Sequence, residues 1–391
     1  MMRWDREDTE LVQRERLQGA SAAEREVTEE DREGRHAVHP CHPFFSVLRD
    51  HAAGLIVAGT IGIASEHLAA SAAVALSPLL YATAIGIAVG NVIRIFDPQM
   101  NIYSPLASGL AFAKRRLLRA GIILYGAKLT FAKILDIGWA GLFIDLYVVS
   151  TTLFFGFALG RMLGLTESLT ALISTGSAFC GCSAVAATQP IINGESHEVA
   201  AAVGVVVLCG TAAMFLYPFL FTAVPSLTAD PRLMGIYTGS TVHELAGVVA
   251  AGNSMGGGVA STAVVTKLLR IFMLEPWIFA LYYFGIGQDK DAVLVAGSGK
   301  AGKGVPWFAF GFLAVAAFNS LWGIPGWLQK VLMSLSAGFL SSAMAALGLE
   351  TDLVKVRSLG SKPLVLGLAL WVYLLGAGFV VSACLVRIFP A

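Results

Sequence analysis

The chain has 391 residues, 56% of them hydrophobic and 14% charged, with a net charge of +1. Soluble domains carry about 25% charged residues, so this composition and a mean hydropathy of +0.72 exclude an ordinary soluble domain. The near-neutral balance gives no bulk attraction to nucleic acid, and no nucleic-acid partner is expected.

Residues 1–47 mix both charge signs, as in DREDTELVQRERLQGASAAEREVTEEDREGR, and hold few large apolar residues. They read as a charged cytoplasmic tail without a packed core, and not as a signal peptide, because no apolar stretch follows a short basic start. The rest reads as all-α and polytopic. A helix needs about 20 apolar residues to cross roughly 30 Å of hydrocarbon. Eleven runs fit, near 50–68, 73–95, 116–135, 139–163, 167–193, 198–223, 234–254, 261–286, 305–325, 328–350 and 363–387. The first, within 48–70, is an extra N-terminal helix. Lys114, Arg115 and Arg116 fall with most other Lys and Arg residues in alternate loops, so the positive-inside rule puts the N-terminus in the cytoplasm of a multi-pass inner-membrane protein.

Three short matches recur in order: IAVGN at 87–91 with VAAGN at 249–253, RLLR at 116–119 with KLLR at 267–270, and SAVAA at 183–187 with SAMAA at 342–346. Members of each pair lie an odd number of spans apart, so the copies would be inverted. Residues 73–223 and 232–389 then form two inverted five-helix repeats, an arrangement frequent in secondary transporters.

The fifth span contains TGSAFCGCSAVAATQP. A continuous helix from Thr166 to Asn193 would run roughly 42 Å, longer than the bilayer core, and Gly176 and Gly181 invite unwinding. Irregular backbone at membrane depth survives only where it is buried or lines a wet cavity, so a break here marks a site. The repeat places the matching break at Ser336–Ala346, SAGFLSSAMAA. Neither break as read holds Asp or Glu. Ser177, Cys180, Gly181, Cys182, Ser183, Ser341 and Ser342 are small and neutral, and half-helix N-termini suit a small anion. Cys180-Gly-Cys182 is too weak for a metal motif, so no metal or cofactor is expected.

Intramembrane charges complete the candidate set. His243 and Glu244, read as helical neighbours in the seventh span, are candidate proton-coupling groups. Arg270 is a candidate substrate ligand; Lys267 and Arg119 are supporting charges on either side of the site. Lys128 and Asp145 are a possible pair, and Glu275-Pro276 suggests a kink in the eighth span. No GxxxxGK[ST] loop is present, which argues against direct use of ATP, and no catalytic constellation suggests an enzyme.

SAFCGCSAVAATQP, GSTVHELAGVVAAG, KLLR and SSAMAALGLETDL together resemble the YeiH family of sulfate exporters over about residues 50–390. Cys182 stands where the family more commonly has Ala, and Gly247 where it commonly has Gln. The resemblance implies inverted five-helix repeats with crossed discontinuous helices, as in the wider cation:proton antiporter and anion transporter superfamily. In that picture spans 4–6 and 9–11 form a core that moves against a panel of spans 2, 3, 7 and 8, and a homodimer is plausible. The expected function is alternating-access transport of a small inorganic or sulfonated anion. A monovalent cation:proton antiporter, which requires a carboxylate at the break, and a non-transporting sensor remain the alternatives.

Overall fold

Long apolar runs punctuated by Gly, Pro and Ser produce a chain of helices joined by short turns, with no strand among the described residues of a computed structural model: 43–71, 76–97, 99, 101–223, 230–284, 307–352 and 360–388. The expectation for the tail of 1–47 lies outside them, apart from the start of the first helix, as does most of the connector after Asp352.

The helices are α1 (Pro43–Ser71), α2 (Pro78–Phe96), α3 (Ser104–Phe112), α4 (Leu118–Tyr125), α5 (Phe131–Met162), α6 (Glu167–Ala178), α7 (Cys182–Ile192) and α8 (Ser196–Ala223). After these come α9 (Pro231–Thr241), α10 (Leu245–Met255), α11 (Gly257–Phe272), α12 (Leu274–Phe284), α13 (Trp307–Leu321), α14 (Gly326–Glu350) and α15 (Ser361–Ile388). Among the described residues, six are long and apolar enough to cross a bilayer unaided: α1 from His51, α2, α5 from Trp139, α8, α14 and α15.

Three expectations are corrected. The third span does not begin at Arg116. Helix runs from Ser104 through a π turn at Ala113–Leu117 to a 3-10 turn ending at Lys128. AKRRL is therefore part of this helical run and not a loop. Leu129 and Thr130 are extended, and the carbonyls exposed there are satisfied from a distance. Asn319 donates to Ala127 and Leu129 at 3.0 Å each, and Gln329 donates to Ala127 at 2.8 Å.

Second, α14 is one continuous helix through Ser336–Ala346. Its hydroxyls are already used: Ser342 donates to Gly338 O at 2.8 Å and Ser336 to Gly121 O on α4 at 2.7 Å. No proline interrupts the run, so nothing forces it open. Its small residues serve close packing instead. A Cβ at Gly348 would lie 2.4 Å from Thr83 O, and one at Gly86 2.5 Å from Ala345 O, so α2 and α14 approach backbone to backbone.

Third, the seventh span is not continuous. It opens at Val242–Glu244, between α9 and α10, where Val242 (φ −70°, ψ 134°) and Glu244 (φ −106°, ψ 141°) are extended. Ser240 and Thr241 hydroxyls donate to Tyr237 O at 3.2 and 2.5 Å, the local competition that loosens a helix end. The predicted kink in the eighth span is present, one step early: α11 ends at Phe272 and α12 starts at Leu274, with Pro276 in its first turn.

Candidate functional site: two helix breaks tied by Lys267 and Arg270

The first break lies where the sequence placed it. Helix α6 ends at Ala178, Phe179 is non-helical (φ −120°, ψ −105°), and α7 restarts at Cys182 after Gly181 (φ 69°, ψ −130°). Only glycine takes that last conformation without strain. A Cβ there would also lie 2.8 Å from Cγ of Glu244. Gly181 is the N-cap of α7 and Glu244 the N-cap of α10, so the amide ends of both restarted helices meet.

The carbonyl ends of α6 and α9 meet as well, because the same two cations hold both. Arg270 Nε donates to Ala178 O at 2.5 Å, Nη2 to Ser177 O at 2.6 Å, and Nη1 to Ser240 O. Lys267 Nζ donates to Phe179 O at 2.5 Å and to Val242 O at 2.6 Å. Both cations are fully buried, on successive turns of α11. A helix C-terminus carries about half a negative charge and leaves carbonyls without amide partners. The two side chains satisfy those carbonyls and offset both dipoles. Their donors are therefore largely committed to the protein, which leaves Arg270 better placed as a clamp than as a substrate ligand.

The amide side is more open. Ser183 is exposed and donates to Cys180 O at 3.0 Å and to Cys180 Sγ at 2.7 Å. Glu244 is half-buried; its carboxylate accepts from Cys182 Sγ at 3.1 Å and does not cap its own helix. A carboxylate thus stands at the electropositive pole, contrary to the expectation that the breaks carry none. That expectation rested on α14 supplying the second break; His243-Glu244 supplies it instead.

Two further groups are buried beside the cations. His243 is fully buried, and neither ring nitrogen has a hydrogen-bond partner. Asp145 on α5 is fully buried, neither carboxylate oxygen is hydrogen-bonded, and it lies in the fields of Arg270 and Lys267. The suggested partner Lys128 lies elsewhere, 5.5 Å from the Tyr125 ring centroid and beside Gly257.

The structure therefore brings together Ser177, Cys180, Gly181, Cys182, Ser183, His243, Glu244, Lys267 and Arg270. Ser341 and Ser342 lie on unbroken α14 and pack against Gly62 of α1. Arg119 rests over the Phe308 ring at 5.9 Å and is not among the groups that bind the broken ends. Sequence reasoning missed Lys114, which pairs with Glu350 at the end of α14 and reaches Cys182 and Glu244 electrostatically. The one available signal was a lysine inside a helical run, concealed by its resemblance to a basic loop. A cleft of about 510 Å³, lined by Ala186, Gln189, Pro190, Asn193 and Gly194, opens along α7 beyond the break. Among the described residues no group of three or more His, Cys, Asp or Glu is placed to hold a metal ion.

Fold and site define a multi-pass α-helical membrane protein whose core is built on two interrupted helices. The family model for conserved hypothetical protein 698 matches residues 53–367. A UPF0324 membrane protein of Pseudomonas aeruginosa is 42% identical over 315 residues, 79% of this chain and 87% of that one. A UPF0324 membrane protein of Haemophilus influenzae is 39% identical over 338 residues, 84% of this chain and 96% of the relative. The UPF0324 inner membrane protein YeiH of Escherichia coli K12 is 39% identical over 311 residues, 79% and 86% of the two chains. The chain belongs to this UPF0324 family, the YeiH family. No solved structure matches it.

Proposed function

We propose that the chain is a secondary active transporter of the inner membrane, moving a small inorganic or sulfonated anion of the sulfate type by alternating access. One observation carries the reading: the N-caps of α7 and α10 adjoin, while the opposite carbonyl ends are neutralised by Lys267 and Arg270. Free first-turn amides and two positive dipole ends then face one spot, which suits an oxyanion. Glu244 already stands there. It acts as a built-in anion, and a transported anion binds when Glu244 takes up a proton or swings away. This links substrate to proton at the binding spot itself.

The second reading is a monovalent cation:proton antiporter, favoured by the same Glu244 and by buried Asp145. Against it stand the two buried cations and the two helix N-termini, all of which repel a cation. Proteoliposomes containing the purified protein separate the two. Uptake of radiolabelled sulfate, with a pH dependence weakened in Glu244→Ala, supports the anion carrier. Sodium efflux driven by a pH gradient, with no sulfate flux, supports the antiporter.

A further inference from the structure

Two positive side chains, Lys267 and Arg270, lie in the core with no exposure to solvent. They bond five backbone carbonyls and leave Asp145 unbonded, although Asp145 is also fully buried and in their field. Burying a carboxylate with no hydrogen bond is costly, and an orphaned buried polar atom calls for a specific explanation. Arg270 and Lys267, both on α11, are the charged groups that act on Asp145 among the described residues; neutral or charged, His243 lies beside the same pair. With Asp145 ionised, its charge and the two helix ends together balance the two cations. With Asp145 protonated, the same core carries about one positive charge more, next to the break.

We propose that Asp145 is a proton-binding site whose occupancy sets the charge of the core behind the two helix breaks. Proton uptake there turns a neutral core into one that attracts an anion to the amide side, and proton release reverses it. This assignment of a coupling role rests on the anion-transport reading; the proton site itself does not. The step is balanced: one proton adds to a carboxylate oxygen and no bond other than O–H forms or breaks.

Infrared difference spectra of the purified full-length protein between acid and alkaline pH test the site directly. The expected result is a high-frequency carboxylic C=O band, typical of an acid without hydrogen bonds. It shifts on labelling with carboxyl-¹³C aspartate, disappears in Asp145→Asn and persists in Glu244→Gln. The labelling arm needs no substitution, so a misfolded variant does not blunt the test. No aspartate band at any pH in the labelled wild type overturns the proposal, as does an unchanged band in folded Asp145→Asn. In proteoliposomes, wild-type sulfate flux should change by up to about tenfold per pH unit, the limit for one proton. Asp145→Asn should flatten that slope and Asp145→Glu restore it. An unaltered slope in Asp145→Asn removes the coupling role, whereas a titrating band with no flux of any ion removes the transport reading and leaves the site.

Discussion

Replacing Arg270 by Lys keeps the charge and removes the fork, so it isolates what the guanidinium contributes to holding the two breaks together. Arg270 makes three bonds in three directions, to Ser177 and Ala178 on α6 and to Ser240 on α9. An ammonium on the lysine stem is a point donor and reaches one of these carbonyls well. Two charge-assisted bonds to buried acceptors are then lost, at about 1.5–3 kcal/mol each, or about 3–6 kcal/mol if they add. Water cannot replace them, because the site is fully buried. The variant should melt well below wild type when followed by fluorescence-detected gel filtration in detergent. Hydrogen exchange should quicken at Phe179 and Val242, whose amides bond Thr175 O and Thr238 O in the last turns of α6 and α9. A wild-type melting temperature together with unchanged exchange would refute the clamp.

Gly181→Ala should cost about 1–3 kcal/mol from the strained backbone and also displace Glu244, so reduced thermal stability and reduced flux should appear together. Ser183→Leu should block flux while the protein elutes and melts normally, because Ser183 is exposed at the start of α7; normal flux would move the pathway elsewhere. Gly348→Leu should destabilise the protein more than any of these, since the new side chain meets the α2 backbone, and a melting curve equal to wild type would contradict the close approach. A double-mutant cycle on Lys114 and Glu350, half-exposed as they are, should give a coupling of about 0.2–1 kcal/mol.

The helical class, the long apolar helices and the first break were legible because their causes are local. TGSAFCGCSAV holds glycines that permit a positive φ, and its span is too long to cross the bilayer unbroken. The second break was not legible. GSTVHELAGVVAAGN reads as one apolar helix, and what opens it is supplied about 25 residues later, when Lys267 and Arg270 offer donors to freed carbonyls. Serines and glycines in SAGFLSSAMAA carried the opposite signal. Small residues serve both unwinding and close packing, and only the α2 neighbour decides which. Lys114 reads as loop for a similar reason, since its partner Glu350 is 236 residues away.

Moving the second break from α14 to His243-Glu244 changes the electrostatics of the site, not just its address. Breaks free of acid would present bare amide dipoles to any anion. With Glu244 between them the amide pole is already occupied, and with Lys267 and Arg270 on the carbonyl pole and Asp145 ionised beside them the whole junction is internally neutral. Such a junction is stable without cargo, which explains how two interrupted helices persist in an apolar core. On the proposed anion-transport reading, cargo would enter by exchange: an incoming charge would have to displace Glu244 or arrive with a proton for it. On that reading a site of this construction would favour obligatory coupling over free leakage, because the empty and loaded states would each satisfy the helix ends and the intermediate between them would not.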